Sequence, residues 1–187
     1  MKIAVIDNYD SFVYNLVCMM HNIADAEIDV IKNDEIELEA MCGYDKILLS
    51  PGPGIPSEAG KLMRILQQNQ TQTSILGVCL GHQAIAESSG GILFNLPKPL
   101  HGVASEIEII QNDYLFEKIP RNFQVGHYHS WVVQQTDNVD FEVLAKDENN
   151  NIMAIKHKHF DWRGVQFHPE SVLTEYGTQI ITNWLNK

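Results

Sequence analysis

Over its first ninety residues the chain alternates short apolar runs with stretches whose apolar residues recur at helical spacing. Lys2 to Ile6, Ile28 to Ile31, Lys46 to Leu49 and Ile75 to Val78 read as strands. Between the first two, Ser11 to Ile23 carries Phe12, Leu16, Met19, Met20 and Ile23 on one helical face, with Asp10 or Ser11 available as the N-cap. Such alternation implies strand-helix-strand units and a parallel sheet.

From Ile92 to Phe167 the texture becomes β-rich, with Glu106 to Ile110, Phe141 to Ala145 and Ile152 to Ile155 separated by turns bearing Asn and Asp. These segments are placed to continue or flank the sheet. Thr174 to Leu185 sets Ile180, Ile181, Trp184 and Leu185 at helical spacing, which predicts a closing helix. No linker, repeat or low-complexity tract divides the chain, so one domain over residues 1–187 is expected.

Composition narrows the function classes. Thirteen basic against 24 acidic residues give a formal net charge of −11, which argues against nucleic acid as a partner. With 44% apolar residues in a chain of 187, about 70% of the unfolded surface should be buried, enough for a core. Acidic residues interrupt the N-terminal apolar run at Asp7, and no window approaches the ~18 apolar residues of a membrane span. A cytoplasmic protein with reduced thiols at Cys18, Cys42 and Cys79 is expected.

One of those thiols stands in a distinctive setting. Gly77-Val78-Cys79-Leu80-Gly81 follows an apolar strand and precedes a helical pattern through His82, Ala84, Ile85 and Ala86. That is a nucleophile elbow with Cys in place of Ser: small neighbours let the backbone turn sharply, and the central side chain is left above the sheet. The N-terminus of the helix favours the thiolate. A buried packing Cys between two glycines is the bland alternative.

A nucleophilic thiol needs a base, and Gly164-Val165-Gln166-Phe167-His168-Pro169-Glu170 supplies one. Residues two apart in an extended segment share a face, so His168 and Glu170 should point the same way as base and orienting carboxylate. Taken alone the pair reads equally as a surface turn. Ser50-Pro51-Gly52-Pro53-Gly54 again follows an apolar strand, and the amides of Gly54 and Leu80 could form an oxyanion hole for acyl chemistry at Cys79. That loop lacks the Lys and Ser/Thr of a phosphate-binding P-loop. The pairs His127/His129 and His157/His159 admit a metal reading, but no acidic or Cys ligand recurs at suitable spacing.

Together with Tyr128-His129-Ser130 and Gln83, these motifs, in this order and across the whole chain, resemble the class I glutamine amidotransferases. The opening Asp7-Asn8-Tyr9-Asp10-Ser11-Phe12 is similar to the chorismate-utilising branch, the small subunits of anthranilate and aminodeoxychorismate synthases. The resemblance implies a flavodoxin-like α/β fold, with a central, mostly parallel sheet flanked by helices and an added β-rich segment.

It also implies hydrolysis of L-glutamine to glutamate and ammonia, with Cys79 as nucleophile, His168 carrying the proton and Glu170 holding the imidazole. Gly52, Pro53, Gly54, Leu80, Gln83, Ser130 and Trp131 would contact the glutamine, partly through backbone groups. The implied partner is a chorismate-utilising synthase large subunit, that of anthranilate synthase by preference. This chain would need no cofactor or metal of its own, and Mg²⁺ would belong to the synthase. A partner-independent γ-glutamyl hydrolase or peptidase, and a non-catalytic assembly platform, are the rival classes. Two positions depart from the pattern: Trp131 stands where Leu is usual, and Val103 follows His101-Gly102 where many relatives have Lys.

Overall fold

The computed structural model describes residues 1–68 and 73–187. Among these residues nine strands form one sheet in the order β2-β1-β3-β4-β9-β8-β7-β5-β6. Strands β1 (Lys2–Asp7), β2 (Glu27–Lys32), β3 (Lys46–Leu49), β4 (Ser74–Val78) and β9 (Trp162–Val165) pair in parallel. β8 (Ile152–His157), β7 (Phe141–Asp147), β5 (Ile92–Ile109) and β6 (Asn122–Gln134) continue the sheet antiparallel. The β-rich segment therefore extends the parallel half, and β9 returns from it to lie beside β4.

Strands β1 to β4 contain the expected runs and overrun them by no more than one residue at either end, and β9 lies inside the expected β-rich stretch; strands covered on both faces by helices are written as apolar runs. Alternation along them divides the core in two. Ile3, Val5, Leu48, Leu76 and Val78 face the side covered by α1 (Val13–Ile23) and α4 (Gly177–Leu185). Ala4, Ile6, Ile47, Leu49 and Ile75 face α2 (Leu62–Gln68) and α3 (Leu80–Ser88). None of the helices is long and apolar enough to cross a membrane among the described residues.

Two helix starts differ from the sequence expectation, for related reasons. Phe12 takes the N-cap of α1 with no side-chain bond, because the Asp10 carboxylate accepts from the Phe12 amide at 2.8 Å and closes the preceding turn. The closing helix begins at Gly177 rather than near Thr174, whose hydroxyl donates to the His168 carbonyl at 2.6 Å and accepts from the Gly126 amide at 3.0 Å. In both places a side chain that could have capped a helix is engaged by the loop before it.

Candidate active site

The carboxyl ends of β1, β3, β4 and β9 converge on one edge, the place where open α/β sheets present their loops to ligands. Cys79 stands there, between β4 and α3, with φ +52° and ψ −99°. A side-chain-bearing residue adopts a positive φ only under constraint. The constraint comes from its glycines: a Cβ on Gly77 would lie 2.4 Å from the Gly81 carbonyl, and one on Gly81 would lie 2.3 Å from the Leu49 carbonyl. Backbone packed this tightly forces the strand to turn straight into the helix. Cys79 is left 5% exposed at the N-terminus of a nine-residue helix, where the dipole and free amides favour an anion.

His168 and Glu170 meet, but not along a strand. His168 follows β9, and Pro169 and Glu170 form a turn in which the Ser171 amide donates to the His168 carbonyl at 3.1 Å. The turn brings His168 Nδ1 to 2.6 Å from Glu170 Oε1, with both side chains buried. His168 Nε2 has no hydrogen-bond partner within the protein among the described residues. Burial works against the imidazolium, but the Cys79 sulfur and the Glu170 carboxylate outweigh it and push the His168 pKa up to about 10. Tyr128 and Phe12 wall the ring, with centroids 5.0 and 5.9 Å away.

Gly52, Pro53, Gly54, Cys79, Gln83, Ser130 and Trp131 line a cleft of about 200 Å³ together with His101, Tyr128 and His129. Leu80 lies beneath it, since a Cβ on Gly52 would meet the Leu80 side chain at 2.7 Å. Asn8 fastens the Pro-Gly loop, its amide donating to Ser50 Oγ and its side chain to the Ser50 carbonyl, each at 2.9 Å. Val103 is half exposed on β5 and does not line the cleft.

The floor of the cleft is a hydrogen-bonded chain that the sequence motifs do not announce. The Trp131 carbonyl accepts from Gln83 Nε2 at 3.0 Å and pairs with His129 Nδ1 at 3.1 Å. A carbonyl only accepts, so His129 carries its proton on Nδ1, and its Nε2 accepts from His127 Nδ1 at 3.1 Å. His127 Nε2 in turn accepts from Ser105 Oγ at 2.7 Å. The first histidine pair is thus taken up in mutual bonding, and His157 Nδ1 accepts the amides of His159 and Phe160 at 3.0 and 3.2 Å. No metal-holding group of three or more His, Cys, Asp or Glu occurs among the described residues.

Burial of His82 and His129, and the partners that hold His168 protonated, set a pH dependence of opposite sign on the two sides of neutrality. Desolvation lowers His82 to about 4, and desolvation with the His127 charge lowers His129 to about 3. Unfolded, both would bind a proton near pH 6.5. Their contribution is therefore present above that pH and lost as pH falls, at about 1.4 kcal/mol per pH unit for each. His168, raised above its unfolded value, adds stability that is complete below pH 6.5 and lost as pH rises toward 10. Chemical-denaturation midpoints measured from pH 4 to 10 should fall on both arms, and His168→Asn should flatten the alkaline arm alone.

The sequence matches the family described as "Glutamine amidotransferase class-I" over residues 4–187. It is 41% identical to an aminodeoxychorismate synthase component 2 of Klebsiella aerogenes, covering 99% of this chain and 100% of that one. It is 40% identical to an anthranilate synthase component 2 of Porphyra purpurea, covering 98% of each. A crystal structure of a protein from Thermoplasma acidophilum, assigned to GMP synthase, superposes with TM-score 0.88 at 24% identity, covering 100% of this chain and 92% of that chain, a likeness of fold.

Proposed function

The chain belongs to the class I glutamine amidotransferase family, and from that premise we propose that it is the glutaminase subunit of a chorismate-utilising synthase. The observation that carries this reading is the meeting of three features at one cleft: a cysteine on a strained elbow, a buried imidazole-carboxylate pair, and a Pro-Gly loop fastened over the helix start.

The chemistry follows from the geometry. The Cys79 thiolate attacks the side-chain amide carbon of glutamine, and the oxyanion that forms is met by the amides of Gly54 and Leu80. His168, held by Glu170, gives its proton to the amide nitrogen; the C–N bond breaks and ammonia leaves. Water then attacks the thioester, losing its proton to His168, and glutamate departs with Cys79 restored. Both hydrogens of Gln83 Nε2 are committed within the protein, to Trp131 and Gln166, which leaves Oε1 to accept from the substrate's α-ammonium group. Ser130 and Trp131 offer backbone groups to the rest of the amino acid. Every proton in this scheme has a carrier on the chain or in water, so the chemistry calls for no cofactor here; Mg²⁺ would act on the synthase.

Ammonia released into neutral water is protonated and ceases to be a nucleophile, so direct delivery to a partner preserves its reactivity. The relatives' names, component 2 of two synthases, support a large-subunit partner. Large side chains also stand in water next in sequence to site residues: Val172, two residues beyond Glu170, is 99% exposed, and Tyr9, which follows Asn8, is 56% exposed. The setting we propose is the cytoplasm, where Cys79 and the exposed Cys18 and Cys42 remain free thiols.

The test is glutamate release from glutamine, with and without chorismate plus the large subunit of an anthranilate synthase. Fluorescent anthranilate formed only by the mixture is the expected result. Release that depends on the large subunit of an aminodeoxychorismate synthase instead would reassign the pathway, and full turnover by the isolated chain would overturn the partner dependence.

A further inference from the structure

The reacting sulfur has one neighbour with no part in the acyl transfer described so far. Gln166, fully buried, points its side-chain nitrogen at Cys79 Sγ from 3.6 Å. Its Oε1 lies 3.2 Å from Gln83 Nε2.

The direction of this amide is imposed. The Trp131 carbonyl can only accept, so the end of Gln83 that faces it is the NH₂ group. The same nitrogen lies against Gln166, so Gln166 must answer with its oxygen, and its own NH₂ is left facing the sulfur. Turning Gln166 over would set two NH₂ groups against each other in a site closed to water, and would leave the sulfur facing an oxygen. Donation therefore runs from Ser105 through His127 and His129 to the Trp131 carbonyl, and from Gln83 in two directions, to that same carbonyl and through Gln166 to the Cys79 sulfur.

We propose that Gln166 is a further catalytic residue of this reaction: its side-chain N–H, aimed by Gln83 and the Trp131 carbonyl, donates to Cys79 Sγ and favours the thiolate. An N–H donor to sulfur is worth more to the anion than to the thiol, because the charge-assisted bond is the stronger. The inference rests on the reading of Cys79 as nucleophile.

The other titratable groups packed around the site come from several elements. His168 and Glu170 belong to the turn after β9, His82 to α3, and His129 and Tyr128 to β6. All of these are kept in the variants that test the proposal, Gln166→Met and Gln166→Glu. Both preserve side-chain length; the first removes the donor and the second replaces it with an acceptor.

The measurement is the rate of Cys79 alkylation by iodoacetamide against pH, read by mass spectrometry of the Cys79 peptide so that Cys18 and Cys42 are counted apart. In Gln166→Met the profile is displaced to alkaline pH and the rate at pH 7 falls about tenfold, with a larger fall in Gln166→Glu. In the assembled synthase, kcat falls about tenfold in Gln166→Met while KM stays within about threefold. A residue that merely fills space would leave the alkylation profile in place, and folded variants whose profiles superpose on that of the parent overturn the proposal.

If both variants unfold, the parent chain decides. Labelled with ¹⁵N-glutamine, it should show one side-chain NH₂ pair in contact with the Cys79 Hβ protons, shifting with pH alongside the alkylation profile; a spectrum without such a pair overturns the proposal equally. Loss of the nucleophile reading looks different: Cys79 alkylation unprotected by glutamine, together with full activity in Cys79→Ala, would remove that reading first.

Discussion

Cys79→Ala should abolish glutamine hydrolysis while leaving the fold in place, a loss on the order of 10⁴- to 10⁶-fold in kcat. The strain at φ +52° comes from Cβ, which alanine shares with cysteine, so the substitution adds no backbone conflict. What disappears is the sulfur alone. Because nucleophile and base act as a unit, the double variant Cys79→Ala/His168→Asn should be scarcely slower than Cys79→Ala. The sulfur is also one of the two groups that hold the His168 pKa up at about 10. Cys79→Ala should therefore reduce the alkaline stability loss as well as the activity, two readouts of one contact measured by glutamate assay and by denaturation midpoints.

Gly177→Ala should be damaging in a way that runs against helix propensity. At the first residue of α4, alanine would ordinarily be preferred over glycine by up to about 1 kcal/mol. Here a Cβ would stand 1.8 Å from the Pro169 carbonyl oxygen and 2.7 Å from its carbon, a collision with backbone. Relief requires that α4 back away from the sheet or that Pro169 move. The first uncovers Ile180, Ile181 and Trp184, all fully buried. The second displaces the peptide between His168 and Glu170, whose flanks are pinned by the Gly126 carbonyl and by Thr174. Steric overlap of this kind costs about 3 kcal/mol, which exceeds the propensity gain. An error near 1 Å in the base would cost about a further 100-fold in kcat. Thermal denaturation and kcat should both fall; an unchanged melting temperature would show that the α4 contact yields cheaply.

The pairs His168–Glu170 and Gln83–Gln166 show how far motif reading carries and where it stops. The elbow at Cys79 is legible because glycines flank it at fixed offsets and an apolar run precedes it. His168 and Glu170 are legible as a pair by spacing, yet the extended segment expected for them is a turn, and it is the turn that brings the two side chains to 2.6 Å. Gln166 stands in the same motif, two residues before His168, and that alternation is the one signal that could have singled it out. His127 and His129 look like metal ligands on a strand; in the fold they bond to each other and support the cleft floor.

Strand and helix order, and the identity of the reactive side chains, lie in the sequence by itself. Hydrophobic period and turn chemistry act over a few residues, and parallel strands buried on both faces must be written as apolar runs. Tertiary structure alone decided the order in which the strands lie side by side in the sheet, the return of β9 beside β4, the closure of α4 on Pro169 and the direction of each amide in the cleft floor. Those features depend on which surfaces meet across a long stretch of chain, and an amide or an imidazole has no orientation until a partner that can only accept is set against it.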